Sequence, residues 1–221
     1  MEHVVKILAI EKVTHDTKKF VVEKPKNYHF TSGQDTDIQL NKPEWKGKKR
    51  PFSFACLPED KNLEFIIKCY PEHHSVTEQL HKLKVGDTII IEEPFGTIQY
   101  KGKGVFIAGG AGITPFISIL RYLKKENKID NNILLFSNKT SSDIILEHEL
   151  KEILKDNAIF TLTREKNKGY QHGRIDKDFL KKHILDFNQH FYICGPMLFI
   201  VEIKKALDDL GANTDRIVIE F

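Results

Sequence analysis

The chain has 221 residues, 40% hydrophobic and 29% charged, which is the balance of a soluble globular protein with room for two small cores. Its 34 basic and 31 acidic residues leave a net charge of +3, too near neutral and too scattered to argue for a nucleic-acid partner. No stretch is long and apolar enough to span a bilayer, and the three cysteines, Cys56, Cys69 and Cys194, have neither disulfide nor zinc spacing and are too few for an iron–sulfur cluster. No metal and no membrane is therefore expected, and a reducing cytoplasm is the expected location.

The opening "MEHVVKILAIEKV" is interrupted by Glu11 and Lys12 and lacks a small-residue cleavage site. It reads as a first strand rather than a signal peptide. "KKFVVEK", "TDIQL", "PFSFA", "LEFIIKCY" and "DTIIIEEP" follow, each rich in β-branched or aromatic residues. One helix is predicted from Val76 to Leu83, where Val76, Leu80 and Leu83 share a face. Six strands and one helix in a hundred residues predict an antiparallel six-stranded β-barrel over residues 1–101.

After "KGKG", Lys101 to Gly104, the rhythm changes. "VFIA", "NILLFS", "IFTLT", "HFYIC" and "IVIEF" are short apolar runs suited to strands buried on both faces. Helical patterns lie between them at Phe116–Lys125, Asp143–Lys155, Asp176–His183 and Met197–Leu210. The alternation predicts an α/β domain with a parallel sheet over residues 102–221.

The turn "GGAGITPF" leaves the first strand of that second half. Gly110 and Gly112 permit a sharp bend and close approach to a ligand, Thr114 suits an N-cap, and Pro115 suits the first helical position. A helix opening there presents backbone amides to an anionic group such as a pyrophosphate. A tight connection with no ligand explains the same glycines. "YICGPM" repeats the punctuation with Cys194, Gly195 and Pro196, at another strand end on the same expected crevice. In "KRPFSFACLP", Arg50 offers a fork of donors for phosphate and Phe52 shares its face, with Pro51 between them and Ser53 on the other face. From these residues alone, a surface arginine beside a core phenylalanine is the simpler reading.

In this order the segments resemble the ferredoxin–NADP reductase family, including its flavodoxin-reductase-like members, over nearly the whole chain. "RPFS" is similar to its Arg-x-Tyr-Ser flavin motif, "GGAGITPF" to its nicotinamide-domain turn, and "CGP" to its later strand end. "IVIEF" is similar to its terminus and "TSGQ" to its Pro-Gly-Gln turn. The resemblance implies FAD on the barrel and NAD(P)H on the α/β domain. It places Arg50 on the FAD pyrophosphate, Phe52 where a Tyr usually packs on the flavin, and Ser53 near flavin N5. It places Lys68, Cys69 and Tyr70 along the flavin edge, and Val76 with Thr77 at the phosphates. The terminal Phe221 would cover the flavin, Glu220 and Ser53 would polarise its edge, and Cys194 would shape the nicotinamide pocket beside Gly112 and Thr114. His73, His74 and Ser75 depart from the family, which has glycines before the Thr77 position.

Ser137, Asn138 and Lys139 stand where an NAD-type fold would place an acid for the ribose diol. With Arg164, Lys166 and Lys168 near, they favour NADPH, with NADH possible, and Tyr170 is a candidate to stack on adenine. The expected function is an FAD-dependent NAD(P)H oxidoreductase that delivers electrons to a separate ferredoxin or flavodoxin. Lys46, Lys48 and Lys49 are candidates to dock such an acidic carrier. Two rivals stay open: a ferric or siderophore reductase on the same scaffold, and a non-catalytic flavin-binding subunit or redox sensor.

Overall fold

Alternation along the first strand, β1 (His3–Lys12), sends Val5 and Ile7 inward and leaves Val4 exposed. Strand β2 (Thr17–Glu23) does the same with Phe20 and Val22. These side chains meet Ile38 and Leu40 of β3 (Asp35–Leu40) and Ile89 and Ile91 of β6 (Thr88–Ile91) in one core. In this computed structural model, residues 1–70, 74–96 and 98–220 are described. Pro71, Glu72, His73, Thr97, Phe221 and the side chain of Glu220 lie outside the described residues.

With β4 (Lys49–Ser53) and β5 (Asn62–Lys68) the strands form an antiparallel sheet in the order β4-β3-β6-β1-β2-β5. Its two edges meet where Phe54 bridges Phe65 and the Ala55 amide donates to the Glu64 carbonyl at 2.9 Å. The ring of Phe54 also stacks on Phe30, 4.1 Å between centroids. Closure removes the exposed edges, as expected of a barrel. Helix α1 is shorter than predicted, Val76–Leu80. Leu83 still reaches the barrel core, but from the turn that follows the helix.

The second sheet is parallel throughout, in the order β10-β9-β8-β7-β11-β12. Its strands are β7 (Gly104–Gly109), β8 (Ile133–Asn138), β9 (Ala158–Leu162), β10 (Gln171–His172), β11 (His190–Cys194) and β12 (Ile217–Glu220). The two-residue β10 carries no apolar signal, and the sequence reading lacked it. Helices α2 (Thr114–Lys125) and α3 (Glu147–Leu154) cover one face; α4 (Lys177–His183) and α5 (Met197–Asp208) cover the other. Helix α3 starts later than the expected Asp143 because that residue closes a separate turn. The Asp143 carboxylate accepts from the Thr140 amide at 2.9 Å and the Thr140 hydroxyl at 2.6 Å, and Leu146 then adopts a left-handed conformation.

The chain runs outward from β7 to β10, then returns to the other side of β7 as β11. Strand order therefore reverses between β7 and β11, and a crevice opens at their carboxyl ends. The barrel packs on the α2 side of this sheet. Ala55, Ile66 and Ile98 from the first half share a core with Phe116, Ile119 and Leu120. Strand β5 is thus buried on both faces, with Phe65 inside the barrel and Ile66 against its neighbour.

Tyr192 of β11 fastens the connection between the halves. Its hydroxyl accepts from the Lys101 and Gly102 amides at 2.9 and 3.1 Å and donates to the Gly102 carbonyl at 2.7 Å. Burial pushes its pKa up to about 12, against the pull of those two amides. Tyr192→Phe leaves the partners of a buried hydroxyl unmatched. It should cost about 1–3 kcal/mol in denaturant unfolding; a loss within error of zero would show that water replaces the phenol.

Candidate functional site

At the end of β7 the chain turns through Gly110–Ile113 as a tight helical turn that runs straight into α2. Gly110 has φ +54 and nothing within 4 Å of where a β-carbon would sit, so the turn is left-handed there and faces open space. Gly112 is the opposite case. A β-carbon on it would lie 2.3 Å from the Cys194 carbonyl oxygen, so the turn presses on the end of β11. Thr114 differs from the expected N-cap. It already has helical dihedrals, and its hydroxyl donates back to the Ala111 carbonyl at 3.0 Å. The helical turn before it has moved the start of the helix upstream.

Above this turn lies a cleft of about 660 Å³. Gly110, Gly112, Cys194, Gly195 and Pro196 line it from the strand ends, Lys139 lines it from the segment after β8, and Lys68 and Tyr70 line it from the barrel. Cys69 lies between those two, half-buried, its amide donating to the Asp16 carbonyl at 2.8 Å. Beside the cleft, the barrel's Ser53 hydroxyl lies 3.3 Å from that of Thr114. Glu220 is the register neighbour of Cys194 across β12 and β11. The lid assigned to Phe221, the Glu220 carboxyl and the His73 departure lie outside the described residues.

A second cavity of about 430 Å³ joins Arg50, Lys48 and Lys49 of the barrel rim to Ser75 and Val76 at the start of α1. The Arg50 side chain is exposed and donates to the Lys49 carbonyl at 2.9 Å. Lys49 is held by Glu92 at 2.8 Å and Asp37 at 3.2 Å. Phe52 rests half-buried against the barrel core, and Pro51 lies exposed between it and Arg50. The Thr77 hydroxyl sits 3.1 Å from that of Ser75, and Val76 is buried below them.

The cleft wall also holds Asn138, which the sequence places where an acid for the ribose diol would stand. Asn138 is 5% exposed, and neither atom of its side-chain amide has a partner among the described residues. A polar group so placed in a cleft wall fits a bound polar ligand such as a nucleotide. Phe199 of α5 and Thr163 add to the walls, and so does Asp143. Burial opposes the charge of Asp143, but Thr140, Lys68 and His15 together hold its carboxyl below the ordinary 3.8. The Lys68 ammonium lies 2.9 Å from Asp16 of the barrel and 3.6 Å from Asp143 of the α/β domain. Burial opposes its charge as well, but the two acids raise it above 10.5. Arg164 is exposed, its amide donating to the Lys139 carbonyl at 2.9 Å, and it is not among the described residues that line the cleft. Tyr170 has its hydroxyl on Glu147 at 2.8 Å and its ring against the domain core, so stacking on adenine would require displacing those contacts.

Residues 4–100 match the family model of the oxidoreductase FAD-binding domain and residues 106–205 that of the oxidoreductase NAD-binding domain. The chain is 27% identical to the ferredoxin–NAD(P)(+) reductase component of the naphthalene 1,2-dioxygenase system of Pseudomonas putida, covering 96% of this chain and 66% of that one. It is 30% identical to NADH-cytochrome b5 reductase 2 of Gallus gallus, covering 91% of this chain and 80% of that one. The chain thus spans just under two thirds of the first relative's length. Among solved structures, the flavohem-like FAD/NAD binding domain of nitric oxide dioxygenase from Vibrio cholerae superposes with a TM-score of 0.87 at 21% identity, over 98% of this chain and 97% of that one. At that identity the likeness shows the fold alone.

Gly112→Ala should destabilise the protein strongly, because the methyl overlaps backbone. Gly110→Ala should cost only about 1 kcal/mol from its left-handed dihedrals; equal losses in thermal unfolding would contradict this division. The Lys68 bridge gives a pH window. Its carboxylates stabilise the fold above 3.8 and lose that contribution as pH falls through their lowered values. The ammonium contributes below 10.5 and loses it only as pH rises through its raised value. The stability gap between wild type and Lys68→Met should hold steady at neutral pH and close below 3.8. A gap that persists in acid would mean that the bridge is not its source.

Proposed function

The chain belongs to the ferredoxin reductase-like family of FAD/NAD oxidoreductases, and on that premise we propose that it oxidises NAD(P)H through bound FAD and reduces a separate carrier of ferredoxin or flavodoxin type. One observation carries the reading. The Ser53 and Thr114 hydroxyls, from the two half-sites, lie 3.3 Å apart where the barrel meets the helix that follows the glycine turn.

The residues present fit both groups. Arg50 and the start of α1 hold the FAD phosphates in the smaller cavity, and Phe52 supports the ring. Gly110 leaves the floor of the larger cleft open to the nucleotide, and the unmatched amide of Asn138 supplies it with hydrogen bonds. When bound, FAD would supply hydride acceptance and single-electron release. The protein's part is to orient and to polarise. Ser53 offers its hydroxyl at the flavin edge, and Thr114 holds the turn through the Ala111 carbonyl. Cys194, beside Gly112, limits where the nicotinamide can lie.

For the nucleotide, we place NADH ahead of NADPH. Of the cations expected to meet a 2′-phosphate, Lys139 is at the cleft and Arg164 is not. Asp143, whose carboxyl is held below the ordinary 3.8 and so stays ionised, puts a negative charge in the same wall. A 2′-phosphate close to that carboxylate is repelled.

Purified protein should be yellow, and anaerobic NADH should bleach it. Arg50→Ala should lower flavin content at least several-fold; full retention would remove Arg50 from the FAD site. Wild type should show a higher kcat/KM with NADH than with NADPH, and Asp143→Ser should narrow the ratio; an enzyme strongly selective for NADPH would overturn this choice. Steady-state turnover with ferredoxin and flavodoxin should exceed that with cytochrome b5 or ferric siderophores; the reverse order would reassign the carrier.

A further inference from the structure

Helix α2 leaves the glycine turn and lies along the barrel segment from Ser53 to Cys56. Three of its side chains touch that segment, and they lie at helical positions i, i+4 and i+7, on one face. Thr114 meets Ser53. Ser118, fully buried, donates its hydroxyl to the Cys56 carbonyl at 2.6 Å and lies 2.9 Å from the Ser32 hydroxyl. Arg121 completes the set, and its reach is wider. One guanidinium nitrogen donates to the Ala55 carbonyl at 2.8 Å and to the Glu64 carboxylate at 2.9 Å, both in the barrel. The other two donate to the two oxygens of Glu149 on α3, at 2.5 and 2.9 Å.

We infer that Arg121 is a positioning residue for hydride transfer, holding the flavin-side segment and the nicotinamide-side helix in register across the domain seam. This rests on the function proposed above. The contacts place it there. Ala55 is two residues from Ser53, and Arg121 is two helical turns, about 10 Å, from Thr114. The clamp therefore holds the same two segments that meet at the cleft, from further along the seam. Burial opposes the guanidinium charge, but Glu149 and Glu64 hold it firmly protonated, so the clamp keeps its form across the working pH range. A planar fork spans a carbonyl and two carboxylates from three elements, whereas a lysine ammonium is a point charge and cannot.

Hydride transfer requires donor and acceptor about 3–3.5 Å apart, and a 1 Å misplacement costs on the order of 100-fold. Arg121 touches neither cleft, so its loss should spare binding and damage alignment. The test compares wild type, Arg121→Lys and Arg121→Gln as flavin-loaded proteins. Rapid anaerobic mixing with NADH should show flavin bleaching slowed roughly 10- to 100-fold per bound flavin. Flavin content and the NADH concentration for half-maximal bleaching should stay within twofold of wild type. The long-wavelength absorbance of nicotinamide stacked on flavin should fall with the rate. A residue that only stabilises the fold would lower the melting temperature and leave the rate per flavin unchanged, and that result overturns the inference.

Calorimetry supplies a readout that needs no turnover. Wild type should unfold in one transition, and the Arg121 variants in two, as the domains uncouple; a single transition in every variant overturns the inference. Should Arg121→Gln fail to fold, Glu149→Gln keeps an acceptor in place while weakening the clamp, and the same measurements apply. A wild type that neither binds FAD nor is bleached by NADH would sink the proposed function instead, and calorimetry would still report on the clamp.

Discussion

The working parts of this protein depend on one packing constraint, the fit of α2 against the barrel corner that follows β4. Ser53, Ala55 and Cys56 present a hydroxyl and two carbonyls, and α2 answers with Thr114, Arg121 and Ser118. These groups are largely buried, so an unmatched one would be costly, and the fit admits little sliding. The helix that positions the nucleotide turn therefore also fixes where the barrel's flavin-side residues stand. The apolar contacts of Ala55, Ile66 and Ile98 with the α2 face supply most of the adhesion. The polar contacts set the register.

Charge follows the same plan. Lys68 and Arg121 both cross the seam, and each has acids from both halves. Lys68 lies between Asp16 and Asp143, and Arg121 lies between Glu64 and Glu149. Each is partly or mostly buried, and each is held protonated by its acids against the cost of burial. Pairs of this kind add little net stability over apolar packing, but they are directional and penalise misalignment. Lys68 and Asp143 also line the nucleotide cleft, so ordering the seam and shaping the cleft are one task there.

Much of the site was legible because its signals are local. The glycine turn, Cys194-Gly195-Pro196 and the Arg50-to-Ser53 segment are each contiguous, and each marks a strand end where backbone geometry is demanding. The structure brings Gly110, Gly112, Cys194, Lys68 and Tyr70 to one cleft. What escaped was Asp143, Phe199 and Arg121. Asp143 looked like a helix start, and Phe199 and Arg121 like ordinary members of amphipathic helices. None has a local signature, because each matters through a partner distant in sequence. The short strand β10 was missed for a related reason, since two polar residues carry no periodicity.

The sequence by itself determined that there are two halves, one a closed antiparallel sheet and one a parallel α/β layer. Alternation, helical spacing and glycine punctuation are properties of neighbouring residues. It also determined which strand ends carry special turns. Only the tertiary structure decided that β11 returns beside β7, that Gly112 lies under the Cys194 carbonyl, and that Arg121 reaches Ala55, Glu64 and Glu149 together. The physical reason is that charge pairing and close backbone approach act through space. Their strength depends on distances that form only once the chain has folded, and no periodicity along the chain encodes them.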